Sequence, residues 1–495
     1  MSNSISSAAD SDSGKVLLGF KWTYISVALQ GVLKLGVLMA LARLLTPRDF
    51  GVLGFALICT NFIERIGQLG VAQALIQIKE INGDIVATAN RLCVVFGILS
   101  SLAVCLVAAW VASFFSEPLL EPVLQVLAWG CLLEAMAAVP DARLQRGLRF
   151  KEIMLIDNVA YAVAMLGVCV TLAALGMGVW ALVAATMALK LVRCLMLRAL
   201  SSEPIVGVWR LDHAQRLIAL GAGFSAARLL NFFSLQGDNF VVGRLLGVEA
   251  LGMYNRAYQL MTLPAMYVGQ VFERVMFPAM ARKQGSPERL RDEFLLSLEA
   301  ITIVALPAGV VMFILAPEIV LVGFGKGWME IVPVVSVLSF GVFFRTAYKC
   351  SDTVVRSLGA VYRYAARQAL YAAWVIGGAA VGASLAGLRG VGVGVVAAVG
   401  FNYLSMTRLS TRLLKLPIAE VCKAHCAGIW VSVLVWGGLA SVVEYLRAYF
   451  SSALVTLVIA SIVALVSWSV GLALTAVFSK RGVTYRAVAL LRQAR

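Results

Sequence analysis

The sequence predicts an all-α polytopic membrane protein of about fourteen transmembrane helices: two parallel six-helix lobes followed by two C-terminal helices. Three observations carry this expectation. Hydrophobic residues make up 61% of the 495-residue chain and charged residues 14%, against roughly 45–50% and 25% in soluble domains. Mean hydropathy is +0.89, and apolar stretches of the ~20 residues that cross a bilayer recur throughout. A short motif recurs at an offset of 201 residues. So little charge cannot clothe the roughly three soluble domains this length suggests. Soluble enzyme, fibrous, disordered and disulfide-stapled classes are excluded.

In chain order, residues 1–14 are Ser-rich with Asp10 and Asp12 and are predicted to form a disordered cytoplasmic tail. They lack the basic start and short apolar run of a cleavable signal, so the first helix is expected to stay in the protein. Residues 15–200 form the first lobe, with spans at 17–42, 51–76, 88–114, 119–139, 153–175 and 178–199. Residues 201–216 read as a cytoplasmic linker. The second lobe, 217–414, holds spans at 217–243, 251–276, 295–316, 333–355, 365–386 and 390–413. Two extra helices, at 422–446 and 452–478, fall within 415–479, and 480–495 is a basic cytoplasmic tail. Three stretches depart from the pattern: 51–76 and 217–243 contain charges, and 119–139 is short. Ser286-Pro287 reads as a capped helix start at the inner surface.

Cytoplasmic loops of membrane proteins are enriched in Lys and Arg. With the N-terminus inside, thirty of the 42 basic residues fall toward inner connections and seven in outer ones. Lys190 and Arg193 are counted with the inner group. Both termini are therefore expected to be cytoplasmic. This spread also accounts for the net charge of +16 without a groove-binding stripe, so no nucleic-acid partner is expected. The nine cysteines read mostly as small packing residues, and Cys422-Lys-Ala-His-Cys426 offers too few ligands for a structural metal site.

The repeat aligns Ala42-Arg-Leu-Leu-Thr-Pro-Arg-Asp-Phe-Gly51 with Gly243-Arg-Leu-Leu-Gly-Val-Glu-Ala-Leu-Gly252. Six spans per copy is an even number, so both lobes enter the membrane with one orientation, as in transporters with parallel repeats. The first stretch, running on to Gly67-Gln-Leu-Gly70, resembles the first hairpin of the Wzx-type polysaccharide repeat-unit flippases. Gly237-Asp-Asn-Phe-Val-Val-Gly-Arg-Leu-Leu-Gly247, continuing to Leu251-Gly-Met-Tyr-Asn-Arg-Ala-Tyr258 and Pro264, resembles the same family. Both stretches are similar to its exopolysaccharide branch, within the multidrug/oligosaccharidyl-lipid/polysaccharide (MOP) exporter superfamily. The resemblance implies flipping of an undecaprenyl-diphosphate-linked oligosaccharide from the inner to the outer leaflet of the bacterial inner membrane. The two lobes would alternate around a cationic cavity. Polymerase and chain-length proteins of such a pathway are candidate partners.

Five basic residues lie inside spans: Lys34, Arg65, Arg228, Arg345 and Lys349. A charge at the bilayer centre costs about 2.5–3.5 kcal/mol on insertion scales, so each must face a wet cavity or an opposite charge. Arg345, Lys349, Asp352 and Arg356 share one helix face, and Arg228, Asn231, Leu235 and Asp238 follow a similar stripe. Arg and Lys are the side chains that neutralise a diphosphate, so these five are the candidate headgroup-binding residues. The competing reading is mutual pairing: Arg65 with the neighbours of Glu64, Arg228 with Asp238 and Lys349 with Asp352.

No Gly-x4-Gly-Lys-Ser/Thr loop is present, and no cofactor is expected. The embedded acids Glu64, Glu134 and Asp238 are candidates for coupling to a proton or sodium ion, with structural ion pairs as the alternative. Gly378/Gly382 and Gly390/Gly394 read as close-packing positions. Trp22, Trp110 and Trp328 read as interface anchors. Tyr254, Tyr258 and Tyr267 read as core residues or sugar-stacking platforms. A drug or cation exporter of the same superfamily would prefer an acidic or aromatic cavity. A membrane polysaccharide polymerase would carry a large outer loop with catalytic acids, whereas 317–332 holds only Glu318, Lys326 and Glu330. A transporter rather than an enzyme is therefore expected.

Overall fold

The computed structural model describes residues 34–67, 70–78, 81–201, 209–282 and 287–478; the side chains of 222–231, 267–287, 289, 361 and 476–478 lie outside that description. Among the described residues there are helices and turns and no strand. A helical run over 34–44 leads into α1 (Pro47–Gly67). Thr46 and Asp49 cap α1 reciprocally: the Thr46 N–H donates to Asp49 Oδ2 at 2.9 Å and the Asp49 N–H to Thr46 Oγ1 at 3.3 Å. Then come α2 (Val71–Gln77), α3 (Gly83–Phe114), α4 (Leu120–Arg146), α5 (Phe150–Ala174) and α6 (Val179–Leu200). Asn82 caps α3, accepting from the Ile85 N–H at 2.9 Å, and α5 widens to a π-helix over Val163–Cys169.

The chain continues through α7 (Leu211–Leu245), α8 (Val248–Arg282), α9 (Pro287–Ile314) and α10 (Ala316–Gly323). A 3₁₀ turn, Lys326–Ile331, precedes α11 (Val332–Ser339), which bends by 40° into α12 (Gly341–Ser357). Last come α13 (Val361–Leu414), α14 (Ile418–Tyr449) and α15 (Ala453–Phe478). Among the described residues nine helices are long and apolar enough to cross a membrane, ten counting the bent α11–α12 pair. This is a polytopic membrane fold, and helices follow the expected stretches in order. The first expected span, 17–42, is described only from residue 34.

The 54 residues of α13 are counted once, but a straight helix of that length would reach about 80 Å, far beyond a bilayer. Non-helical backbone at Ala386 (φ −146°) and Gly387 (φ +55°) folds it into a hairpin. The arms meet glycine to glycine. A Cβ on Gly382 would lie 2.1 Å from the Gly390 carbonyl oxygen, and one on Gly394 would lie 2.1 Å from that of Gly378. The four-residue glycine spacing read from the sequence thus mates across two antiparallel helices.

The repeat extends beyond the motif: α8 begins 201 residues after α1. Two buried glutamates, Glu117 and Glu318, stand at the same offset, and each takes a bidentate arginine. Arg48 reaches Glu117 with Nη2 at 2.9 and 3.0 Å, while Arg447 reaches Glu318 through Nε at 2.7 Å and Nη2 at 3.0 Å.

The chain divides into two compact units, residues 1–229 and 230–495, so the division falls inside α7 rather than in the 201–216 connection. The core of unit 1 gathers Val71, Leu75, Val86, Ala89 and Val139. That of unit 2 gathers Phe294, Leu298, Phe343, Cys350 and Tyr403. The two C-terminal helices belong to unit 2: Val431, Val435 and Leu439 pack with Leu315, and Trp468 Nε1 donates to the Ile303 carbonyl at 3.0 Å. Trp110 is exposed. Trp328 is not: it is 2% exposed and packs on Phe324 at 5.6 Å, because the 3₁₀ turn folds it inward. Trp22 lies outside the described residues.

Backbone cannot move aside as a side-chain tip can, so Gly382→Ala should destabilise the protein by about 1–3 kcal/mol. Gly377→Ala, where a Cβ meets nothing within 4 Å, should stay within about 0.5 kcal/mol. Unfolding midpoints of the two variants in detergent check this contrast.

Candidate functional site

The strongest polar feature of unit 2 is α12. One face is buried, with Val342, Phe343, Thr346, Ala347, Cys350 and Val354; beside it runs the charged stripe of Arg345, Lys349, Asp352 and Arg356, of which Asp352 is buried. Phe343, Ala347, Cys350 and Val354 pack with Leu290, Phe294 and Leu298 of α9, which fixes the rotation of α12 about its axis. At its start, a Cβ on Gly341 would lie 2.7 Å from Met261 Sδ.

Arg345 is held among tyrosines. Its guanidinium stands over the Tyr258 ring, 5.2 Å from the centroid, and Nη1 lies 3.5 Å from the Tyr371 hydroxyl. No carboxylate forms an ion pair with it among the described residues. Asp238 is 2% exposed and accepts hydrogen bonds from the Tyr254 hydroxyl at 2.7 Å and the Asn239 N–H at 2.9 Å. The rings of Tyr254 and Tyr258 are 5.6 Å apart, so a layer of tyrosine joins Asp238 to Arg345. Tyr254 is fully buried, consistent with its core reading. Asp352 pairs with Arg356 at 2.7 Å, and Lys349 is half-buried on the same stripe. Arg228 falls within α7, but its side chain lies outside the described residues, as does that of Tyr267.

Unit 1 treats its charges differently. Lys190 forms a salt bridge with the buried Glu64. Arg193 contacts three carboxylates: Asp141 at 2.9 Å, Asp157 at 2.9 Å and Glu134 at 3.6 Å. Lys34 lies over the Tyr161 ring at 5.6 Å and lines a cavity of about 280 Å3 with Asp157, Ala160, Tyr161, Leu189 and Arg193. Arg65 is half-buried in the last turn of α1.

Lys190 and Arg193, counted from sequence with the cytoplasmic loops, therefore sit within α6 as partners of embedded acids. Glu64 and Glu134, expected as ion-coupling candidates, are both ion-paired. Sequence reasoning missed Asp141 and Asp157 as partners. The signal was present, since Lys190 and Arg193 are three apart on one helix face inside an apolar span, where such charges need partners.

Residues 40–333 match the family described as "Polysaccharide biosynthesis protein". The chain belongs to this family. Among its relatives, the "Lipopolysaccharide biosynthesis protein WzxC" of Escherichia coli (strain K12) is 26% identical over 330 residues, covering 66% of each chain. The "Succinoglycan biosynthesis transport protein ExoT" of Rhizobium meliloti (strain 1021) is 25% identical over 318 residues, covering 64% of each. The chain thus matches just under two thirds of the length of these relatives. A solved structure described as "Lipid II flippase MurJ, inward closed conformation" superposes with a TM-score of 0.73 at 11% identity, over 94% of this chain and 99% of that one. A multidrug resistance MATE family transporter of the MOP superfamily, inward-facing, gives 0.62 at 14% identity, over 77% and 94%. At these identities the likeness is one of fold, and the fold of this polysaccharide biosynthesis protein is that of the MOP transporters.

Removing one partner of a buried ion pair strands the other. Lys190→Ala should destabilise the protein by about 3–5 kcal/mol, and adding Glu64→Ala should restore much of the loss. A double-mutant cycle on unfolding midpoints measures both effects.

Proposed function

We propose that this polysaccharide biosynthesis protein flips undecaprenyl-diphosphate-linked oligosaccharide repeat units from the cytoplasmic to the periplasmic leaflet of the bacterial inner membrane. The cycle is one of alternating access, and both chain termini stay in the cytoplasm. The observation that carries the reading is Arg345, an intramembrane arginine with tyrosine rather than carboxylate partners among the described residues. A desolvated guanidinium in that setting is primed for an anion, and its fork matches the paired oxygens of a phosphate. Lys349, one turn along the same face, adds a mobile positive charge. Arg228, Lys34 and Arg65 are assigned supporting contacts to the headgroup or its approach.

Family membership supports a polysaccharide cargo, as do the relatives named for lipopolysaccharide biosynthesis and succinoglycan transport. Asp238 is the proposed site for a coupling proton or sodium ion, because it is the deepest embedded acid and has no basic ion-pair partner among the described residues. Glu64 and Glu134 are proposed to hold unit 1 together through Lys190 and Arg193.

Arg345→Ala should lower polysaccharide export at least tenfold, the equivalent of losing a charge-assisted hydrogen bond of about 1.5–3 kcal/mol. Arg345→Lys should retain part of it. The measurement is complementation of a deletion strain at matched protein levels. Wild-type export by an Arg345→Ala/Lys349→Ala double variant would remove this stripe from the mechanism.

A further inference from the structure

Asp238 and Asn239 are buried in unit 2, and Arg345 is half-buried on α12. Asp238 takes its hydrogen bonds from Tyr254 and the Asn239 backbone, not from a base. The side-chain amide of Asn239, 5% exposed, donates to Gln236 at 2.8 Å, while its oxygen has no hydrogen-bond partner. That leaves an open acceptor on the residue next to the carboxylate, the sort of oxygen a small cation needs. On the far side of the tyrosine layer, Arg345 touches Tyr258 and Tyr371. The charged and titratable groups around this layer are Tyr254 and Tyr258 on α8, Arg345 and Tyr348 on α12, and Tyr371 on α13. Lys349, Asp352 and Arg356 follow further along α12.

Asp238 and Arg345 interact electrostatically across the layer. An interior of low dielectric preserves such an interaction at distances where water would screen it. While Asp238 is charged, its field offsets part of the pull of Arg345 on any other anion. We infer that Asp238 and an arriving diphosphate compete for the positive charge of Arg345, so that a proton or sodium ion on Asp238 tightens diphosphate binding. This deepens the proposed function and rests on the anion site assigned there to Arg345. Linkage between two binding sites is reciprocal. A bound diphosphate therefore tightens cation binding at Asp238 by the same factor. Tyr254 and Tyr258 are positioning residues: they set the separation of the two charges and keep them from closing into a direct ion pair.

The test uses the full-length protein in nanodiscs with inorganic pyrophosphate as the probe. Affinity is measured by calorimetry at acid and alkaline pH at fixed sodium, then at low and high sodium at fixed pH. Wild-type protein should bind about tenfold more tightly on acidification or on sodium addition, within the usual range of coupling between sites. The arm that responds identifies the cation. Asp238→Asn should bind at the tight limit with only the dependence due to the ionisation of pyrophosphate itself, and Arg345→Gln should lose binding under all conditions. If Asp238→Asn keeps the full wild-type dependence, the competition is overturned while the anion site stands. If the wild type binds no pyrophosphate under any condition, the anion site falls and the competition with it. Should Asp238→Asn not assemble, Tyr254→Phe carries the test. Loss of its hydroxyl must shift the midpoint of the dependence and leave the tight limit unchanged, and an unshifted midpoint overturns the inference.

Discussion

Every charge carried into hydrocarbon must be answered by another charge, a polar shell or water, and this constraint shapes both units. In unit 1 the answer is opposite charge. Lys190 meets Glu64, and Arg193 meets Asp141, Asp157 and Glu134. The helices α1, α4, α5 and α6 are thereby tied through side chains that cannot separate cheaply. In unit 2 Asp352 meets Arg356, but Arg345 and Asp238 each end on tyrosine. A phenol hydroxyl or ring solvates an ion without neutralising it, so the charge stays available to a ligand.

The two units share the repeat motif and the paired glutamates Glu117 and Glu318, but most of their other charges do not coincide. Arg48 on the first hairpin has Glu249 at the equivalent position of the second, 201 residues on. At the same offset, Leu144, Leu148, Lys151 and Leu155 stand where α12 has Arg345, Lys349, Asp352 and Arg356. The charged side chains are thus distributed unequally over the two units. The proposed headgroup site accordingly centres on Arg345 and Lys349 of unit 2, while unit 1 is assigned the supporting contacts of Lys34, Arg65 and Arg228.

The spans were legible in the sequence because a run of about 20 apolar residues is a local property that tertiary context rarely overrides. The stripe Arg345–Arg356 was legible because helical spacing alone puts those residues on one face. Partnership was not legible. Lys190 lies near a span end, where a basic residue normally marks a cytoplasmic loop, and only packing of α6 against α1 reveals that it answers Glu64. The tyrosines about Arg345 come from α8 and α13, far apart in sequence; Tyr258 reads from the sequence as a core or sugar-stacking residue, and Tyr371 carries no charge to mark it. The glycine spacing on both arms of α13 was visible, but that the arms face each other follows from the break at Ala386–Gly387.

The arginine on Glu318 bears on how such a chain could have acquired its last two helices. In unit 1 the equivalent glutamate is satisfied from within the repeat, by Arg48; in unit 2 the donor is Arg447, at the end of α14. A version of this protein ending before α14 would expose Leu315 to lipid and leave the Glu318 carboxylate without its counter-ion. The terminal pair is therefore not an ornament that evolution or an engineer can shed in one step. Shortening the chain requires a compensating change at position 318, and that requirement ties the two terminal helices to the repeat they follow.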